Sequence, residues 1–227
     1  MTDAPISAPR PRHLPSARPG PVGGKRDRNR RKRLAQLAEA ALALMLERGV
    51  EPVTIEQICE RAGLAKGSFY RYFSGKPAVV EALFEHLVER MDAAMAEAEQ
   101  TLAAAQTPGE LFQAYAGLAM DLAPVFVEEQ GAVRLFLQER RGPRTEARAV
   151  IREVGDRLVA RGEALTAAAH AHGLLRDLPP AVTTRAVMGA IEAVAWSHLD
   201  GDLPGDPVAL GEALVTMVLD GVVVAAE

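Results

Sequence analysis

Residues Val53 to Lys76 read VTIEQICERAGLAKGSFYRYFSGK. Thr54 is a good N-cap, and Gln57 three residues later completes a capping box. Val53 and Ile58 bracket that start as a hydrophobic staple. Ile55, Ile58, Cys59 and Ala62 recur at helical spacing and define one apolar face. Gly63 follows, where a helix end favours a residue tolerant of positive φ. Leu64 can plug the corner, and a second helix is predicted from Ala65 to about Phe73. So short a helix needs tertiary packing. Phe69 and Phe73, four apart, are its anchors. The whole chain has six Phe, three Tyr and one Trp, yet Phe69, Tyr70, Tyr72 and Phe73 fall within five positions.

With the two Phe turned inward, Lys66, Gly67, Ser68, Tyr70, Arg71 and Tyr72 lie on the open sides. A cation, a bare backbone, a hydroxyl, two phenols and a guanidinium suit phosphate oxygens and base edges. Together with Thr54, and with Lys76 at the start of a following helix, they are the predicted DNA-binding residues. Arg71 is expected to read a base and Lys76 to hold a phosphate beside a helix N-terminus. The plain alternative is a small helical hairpin with a few charged surface residues.

The segment LAKGSFYRYF followed by SGK resembles the recognition helix of TetR/AcrR-type bacterial regulators, and the likeness spans about Gly49 to Leu87. Arg71 stands where that family often has His, and Pro77 where an acidic residue usually follows the Lys. A first helical turn tolerates Pro77. The resemblance implies three helices for DNA, the remainder for ligand and dimer, and a repressor released from its operator by a small effector.

Charge is divided along the chain. Residues 1–76 carry 15 Lys+Arg against 7 Asp+Glu, and residues 77–227 carry 11 against 23. The positive end coincides with the helix-turn-helix, as polyanion binding requires. Met1 to about Arg28, rich in Pro and Gly, is expected to be a disordered basic arm, either a phosphate contact or a solubilising leader. Residues 29–76 would form the DNA-binding domain and 77–227 the ligand-binding and dimerisation domain. No run of 18 uncharged apolar residues suggests a membrane span. The N-terminus lacks the apolar segment of a secretory signal. A single Cys fits a reducing cytoplasm.

The rest of the chain reads as helix throughout, giving an all-α fold of about nine helices. Helix one is predicted from about Arg30 to Arg48 and a long helix four from near Lys76 to beyond Leu102. Thr107-Pro108-Gly109-Glu110 opens helix five, expected to reach about Asp121, and Pro124 is expected to open helix six, through about Arg140. Helix seven runs to about His172, helix eight from Pro180 to about Leu199, and helix nine from Pro207 to about Ala226.

Ala186, Gly189, Ala193, Leu214, Met217 and Gly221 on helices eight and nine are expected to form a two-fold homodimer interface. Packing within one subunit is the alternative. Phe112, Tyr115, Leu118, Phe136 and Trp196 are candidate ligand contacts, with ordinary core packing as their alternative. No catalytic constellation, cofactor or metal site is expected. His170 and His172 diverge on a helix, His198, Asp200 and Asp202 suit a solvated loop, and Cys59 suits a small buried hydrophobe. The expected partners are double-stranded DNA with a palindromic operator, a second copy of the chain and an unidentified small effector.

Overall fold

A computed structural model describes residues 24–170 and 173–222. His172, the end of helix nine after residue 222 and most of the predicted basic arm lie outside these residues. The described residues form nine helices and no strand: α1 (Lys25–Arg48), α2 (Ile55–Arg61), α3 (Lys66–Phe69), α4 (Lys76–Ala104), α5 (Pro108–Glu128), α6 (Gln130–Glu139), α7 (Glu146–His170), α8 (Pro180–Asp200) and α9 (Pro207–Val222).

The all-α expectation is met, and the boundaries show where tertiary packing overrides local reading. α1 begins at Lys25, so Lys25–Arg28 are helical instead of forming the end of a disordered arm. Lys and Arg are good helix formers even without apolar periodicity. Pro124 does not open a helix; it lies inside α5. Its φ suits a helix, and the one bond it withdraws falls on an exposed side, where Met120 is 56% exposed. The break comes at Glu129, where ψ is 24°. α3 is one turn long, shorter than predicted, and its end continues as a turn in which the N–H groups of Tyr72 and Phe73 both donate to Phe69 O.

Leu37, Ala41 and Met45 of α1 meet Ile58 of α2, Phe69 of α3 and Val79, Val80 and Phe84 of α4 in one buried cluster. α4 then leaves this head and continues through the body, burying Leu87, Met91, Met95, Ala98 and Leu102. Its 29 residues make a rod about 43 Å long, packed mainly on α7 and α5. Among the described residues no helix is long and apolar enough to cross a membrane.

A candidate DNA interface and a cavity in the body

The local chemistry of the head follows its sequence closely. Thr54 Oγ1 accepts from the Gln57 N–H at 3.3 Å, and Gln57 Oε1 accepts from the Thr54 N–H at 3.0 Å. This closed box starts α2, and Gly63 ends the corner with φ +65°. Phe69 is fully buried, with Phe73 and Tyr70 ring centroids 5.6 and 5.5 Å from its own. Burying Phe69 forces its neighbours outward. Tyr70 is 47% exposed, and Lys66, Gly67 and Arg71 are exposed beside it. Apart from its chain neighbours and the local helix backbone, no heavy atom lies within 4 Å of where a side chain on Gly67 would begin, so a phosphate could approach the backbone there.

Four of the predicted contact residues are already restrained. Arg71 Nη2 donates to Ser68 Oγ at 2.9 Å, which aims the guanidinium along α3. Ser68 is itself buried, so its part is to orient Arg71 more than to face outward. Lys66 is ion-paired with Glu56 across the turn. That hydrogen bond, more than any other cause, lowers the Glu56 pKa and raises that of Lys66. Tyr72 is half-buried against the core. Cys59 is buried, and desolvation pushes its thiol pKa up.

Lys76 differs from its predicted role. Its ammonium donates to Val50 O at 3.0 Å, Glu51 O at 2.7 Å and Val53 O at 3.2 Å. An ammonium has three protons, and here three carbonyls accept them. Lys76 therefore ties the start of α4 to the loop before α2, and no donor is left for a phosphate.

In the body, a cavity of about 470 Å³ lies among α4, α5, α7, α8 and α9. Tyr115 and Leu118, two of the candidate ligand contacts, line it. The other three candidates do not. Phe112 packs against the core. Phe136 is buried with its ring centroid 6.5 Å from that of Phe84. Trp196 is 38% exposed, with the Arg134 guanidinium 5.7 Å from its ring. Leu214, predicted at the dimer face, instead lines the cavity with Ile191, Met188 and Leu165. These were missed because an apolar helix face looks alike whether it meets protein, a cavity or another subunit.

The cavity holds few polar groups. Thr184 and Thr166 share a hydrogen bond at 3.0 Å, and Thr166 donates on to Gly162 O. His198 Nδ1 is 3.1 Å from Leu203 O. Burial raises the Tyr115 phenol to about 12, so it remains an O–H donor at neutral pH. Arg176 is exposed at the edge, and among the described residues no Asp or Glu belongs to the wall. The other predicted dimer residues face out of the protomer: Ala186, Ala193, Met217 and Gly221 are exposed, and nothing lies within 4 Å of a side chain added at Gly189 or Gly221.

The family model for bacterial regulatory proteins of the tetR family matches residues 37–83, and the one for the tetracyclin repressor-like C-terminal domain matches residues 116–222. The chain belongs to the TetR family. An uncharacterized HTH-type transcriptional regulator, YxbF of Bacillus subtilis (strain 168), is 34% identical over 64 residues, which are 28% of this chain and 17% of that protein. The chain spans between about a sixth and a third of the curated relatives' length in such matches. Two solved structures share the fold. The ketosteroid transcriptional regulator KstR2 of Mycobacterium tuberculosis is 21% identical with a TM-score of 0.63, over 85% of this chain and 96% of that one. FadR of Bacillus subtilis, solved in complex with stearoyl-CoA, is 19% identical with a TM-score of 0.63, over 82% and 98%.

Proposed function

We propose that this protein is a homodimeric transcriptional repressor, released from a palindromic operator when a neutral or acidic amphipathic effector fills the C-terminal cavity. The observation that carries this reading is the outward face of α3, where Tyr70 and Arg71 stand exposed beside open backbone at Gly67. In a two-fold dimer, two such helices would enter major grooves one turn apart, about 34–36 Å. Arg71 suits guanine O6 and N7; Lys66, Tyr70 and Tyr72 suit phosphates. The outward strip of Ala186, Gly189 and Ala193 on α8, with Met217 and Gly221 on α9, suits close approach of a second copy. In this reading α4 joins the two functions, with Val79, Val80 and Phe84 in the head and Met95 in the cavity wall.

The effector class follows from the cavity wall. Apolar side chains dominate it, Tyr115 offers a donor, and a cationic ligand would find no carboxylate among the described wall residues. A burying site that leaves a charge unpaired is costly. Stearoyl-CoA, the acidic amphiphile held by FadR, supports an effector of this class.

Two rods run from cavity to head. Met95 of α4 is in the wall, and the same helix is fastened at Lys76. Gln130 is in the wall at the start of α6; Gly131 lies against Leu42 of α1, and Glu139 at the other end lies against Gly49. Gly49 has φ +82°, and a Cβ there would come 2.9 Å from Glu139 Oε1, so the contact needs glycine. Arg148 Nε of α7 holds that carboxylate at 2.6 Å. An effector that prefers one arrangement of α4 and α6 shifts the population of heads able to span the operator.

Fluorescence anisotropy of labelled operator, titrated with palmitate, cholesterol and a hexadecyl ammonium, tests this. Palmitate or cholesterol should release DNA while the ammonium does not, and operator should weaken effector binding by the same factor. An amphiphile that fills the cavity and leaves DNA affinity unchanged would refute the repressor mechanism.

A further inference from the structure

We propose that the first turns of α1, Lys25–Arg33, form a second DNA contact that grips phosphates flanking the operator and reads no base. The proposal rests on the DNA-binding reading above and goes beyond the α3 interface. Seven of these nine residues are Lys or Arg, and all seven are exposed. The first buried residue of α1 is Leu37. The segment therefore projects from the packed head by about 13 Å, nine residues of helical rise.

The rest of α1 is held by neighbouring helices. Leu42 lies against Gly131 and Gly49 against Glu139, so the later half of α1 runs alongside α6. Glu47 pairs with Arg61 of α2 at 2.7 Å. The later half of α1 is thus held by α6 and α2, and the cationic turns precede its first buried residue, Leu37. Arg26, Arg30 and Arg33, spaced four and three apart, share one side of the helix. Arg31 is bound to Asp27 at 3.0 Å on another side.

Neighbouring like charges at these spacings repel and oppose helix formation. Arg26, Arg30 and Arg33 are all exposed among the described residues. A regularly spaced polyanion from outside the chain would offset their repulsion. Duplex DNA carries one negative charge per about 1.7 Å of axis, so a straight cationic helix of this length can meet several phosphates. Guanidinium groups suit that contact because each can bind a phosphate in two places.

The test uses the full chain and the variant Arg26→Gln/Arg30→Gln/Arg33→Gln, which keeps helix-forming residues. Affinity is measured against salt on three probes: the selected operator cut at its half-sites, the same operator with long flanks, and a long random duplex. The variant should lower the salt slope on both long probes by about 0.9 for each phosphate that it no longer neutralises. It should leave the short operator, the ratio of operator to random affinity, and the melting temperature unchanged. An equal slope for both proteins on long duplexes would overturn the proposal, as would a lower melting temperature, because the segment would then be packed on the body. If the wild type shows no operator preference, the α3 reading fails. The slope on random duplex still decides the role of α1.

Discussion

Phe69, Ile58 and Met45 in the head are fully buried by protein, whereas Leu118, Ile191 and Leu214 in the body stay partly exposed around a cavity. The head can be read from its own sequence because each apolar residue has one kind of neighbour. The body cannot, because an apolar face there has three possible covers: another helix, an effector or a second subunit. The head is thus packed into one geometry, whereas the body keeps an open space.

Truncation sets the two regions apart most strongly. Phe69→Ala should cost about 3–5 kcal/mol, since it empties a filled core site. Leu118→Ala should cost much less, because it enlarges a space that already exists. Thermal melts with hydrogen exchange on α2 and α3 give both values; equal costs would mean that the cavity wall is packed like the head.

A charge placed on the predicted dimer seam comes next. Gly189→Arg has room within one protomer, so any penalty reads contacts between protomers. Burying that guanidinium without a partner should cost about 3 kcal/mol. Sedimentation should show monomers whose heads still fold, and a persistent dimer would move the interface off α8.

Within the head, Lys76→Met should lower stability by about 2 kcal/mol by leaving three carbonyls without their charged donor. The salt slope of DNA binding should stay the same. A slope reduced by about one would restore Lys76 as a phosphate contact. Arg71→Ala should cost about 1–3 kcal/mol on operator and far less on random DNA, while leaving melting unchanged. Equal losses on both DNAs would remove it as a base reader.

The smallest effect belongs to the body. Tyr115 has its pKa raised from 10.0 to about 12 by burial. The neutral phenol is favoured in the folded state, so its contribution is complete below pH 10.0 and is lost as pH rises toward about 12. Tyr115→Phe should therefore lose less stability than wild type across that window in denaturant titrations. Parallel curves would mean that the phenol is hydrated.

How much was legible follows the same division. The capping box at Thr54, the anchors Phe69 and Phe73 and the exposure of Tyr70 and Arg71 all arise from neighbours within a few residues. Lys76 was misread because its partners, Val50 to Val53, are more than twenty residues back, where helical spacing carries no information. Lys25–Arg28 lack apolar periodicity and read as an arm, although their helix propensity is good. Pro124 read as a boundary because sequence does not show that the bond it removes lies on an exposed side. Phe136 and Trp196 were singled out for being aromatic, and nothing local separates a ring in the core or beside Arg134 from one at a ligand.

The central claim is that the exposed face of α3 selects a defined DNA sequence in two-fold symmetry. Its most direct test is selection of bound duplexes from a random pool by the purified full-length protein, followed by sequencing. The account predicts an enriched inverted repeat with half-site centres about 34–36 Å apart, and an enrichment that weakens at one base pair per half-site with Arg71→Ala. A pool that is retained without enrichment, or enriched in a single unrepeated site, would contradict it.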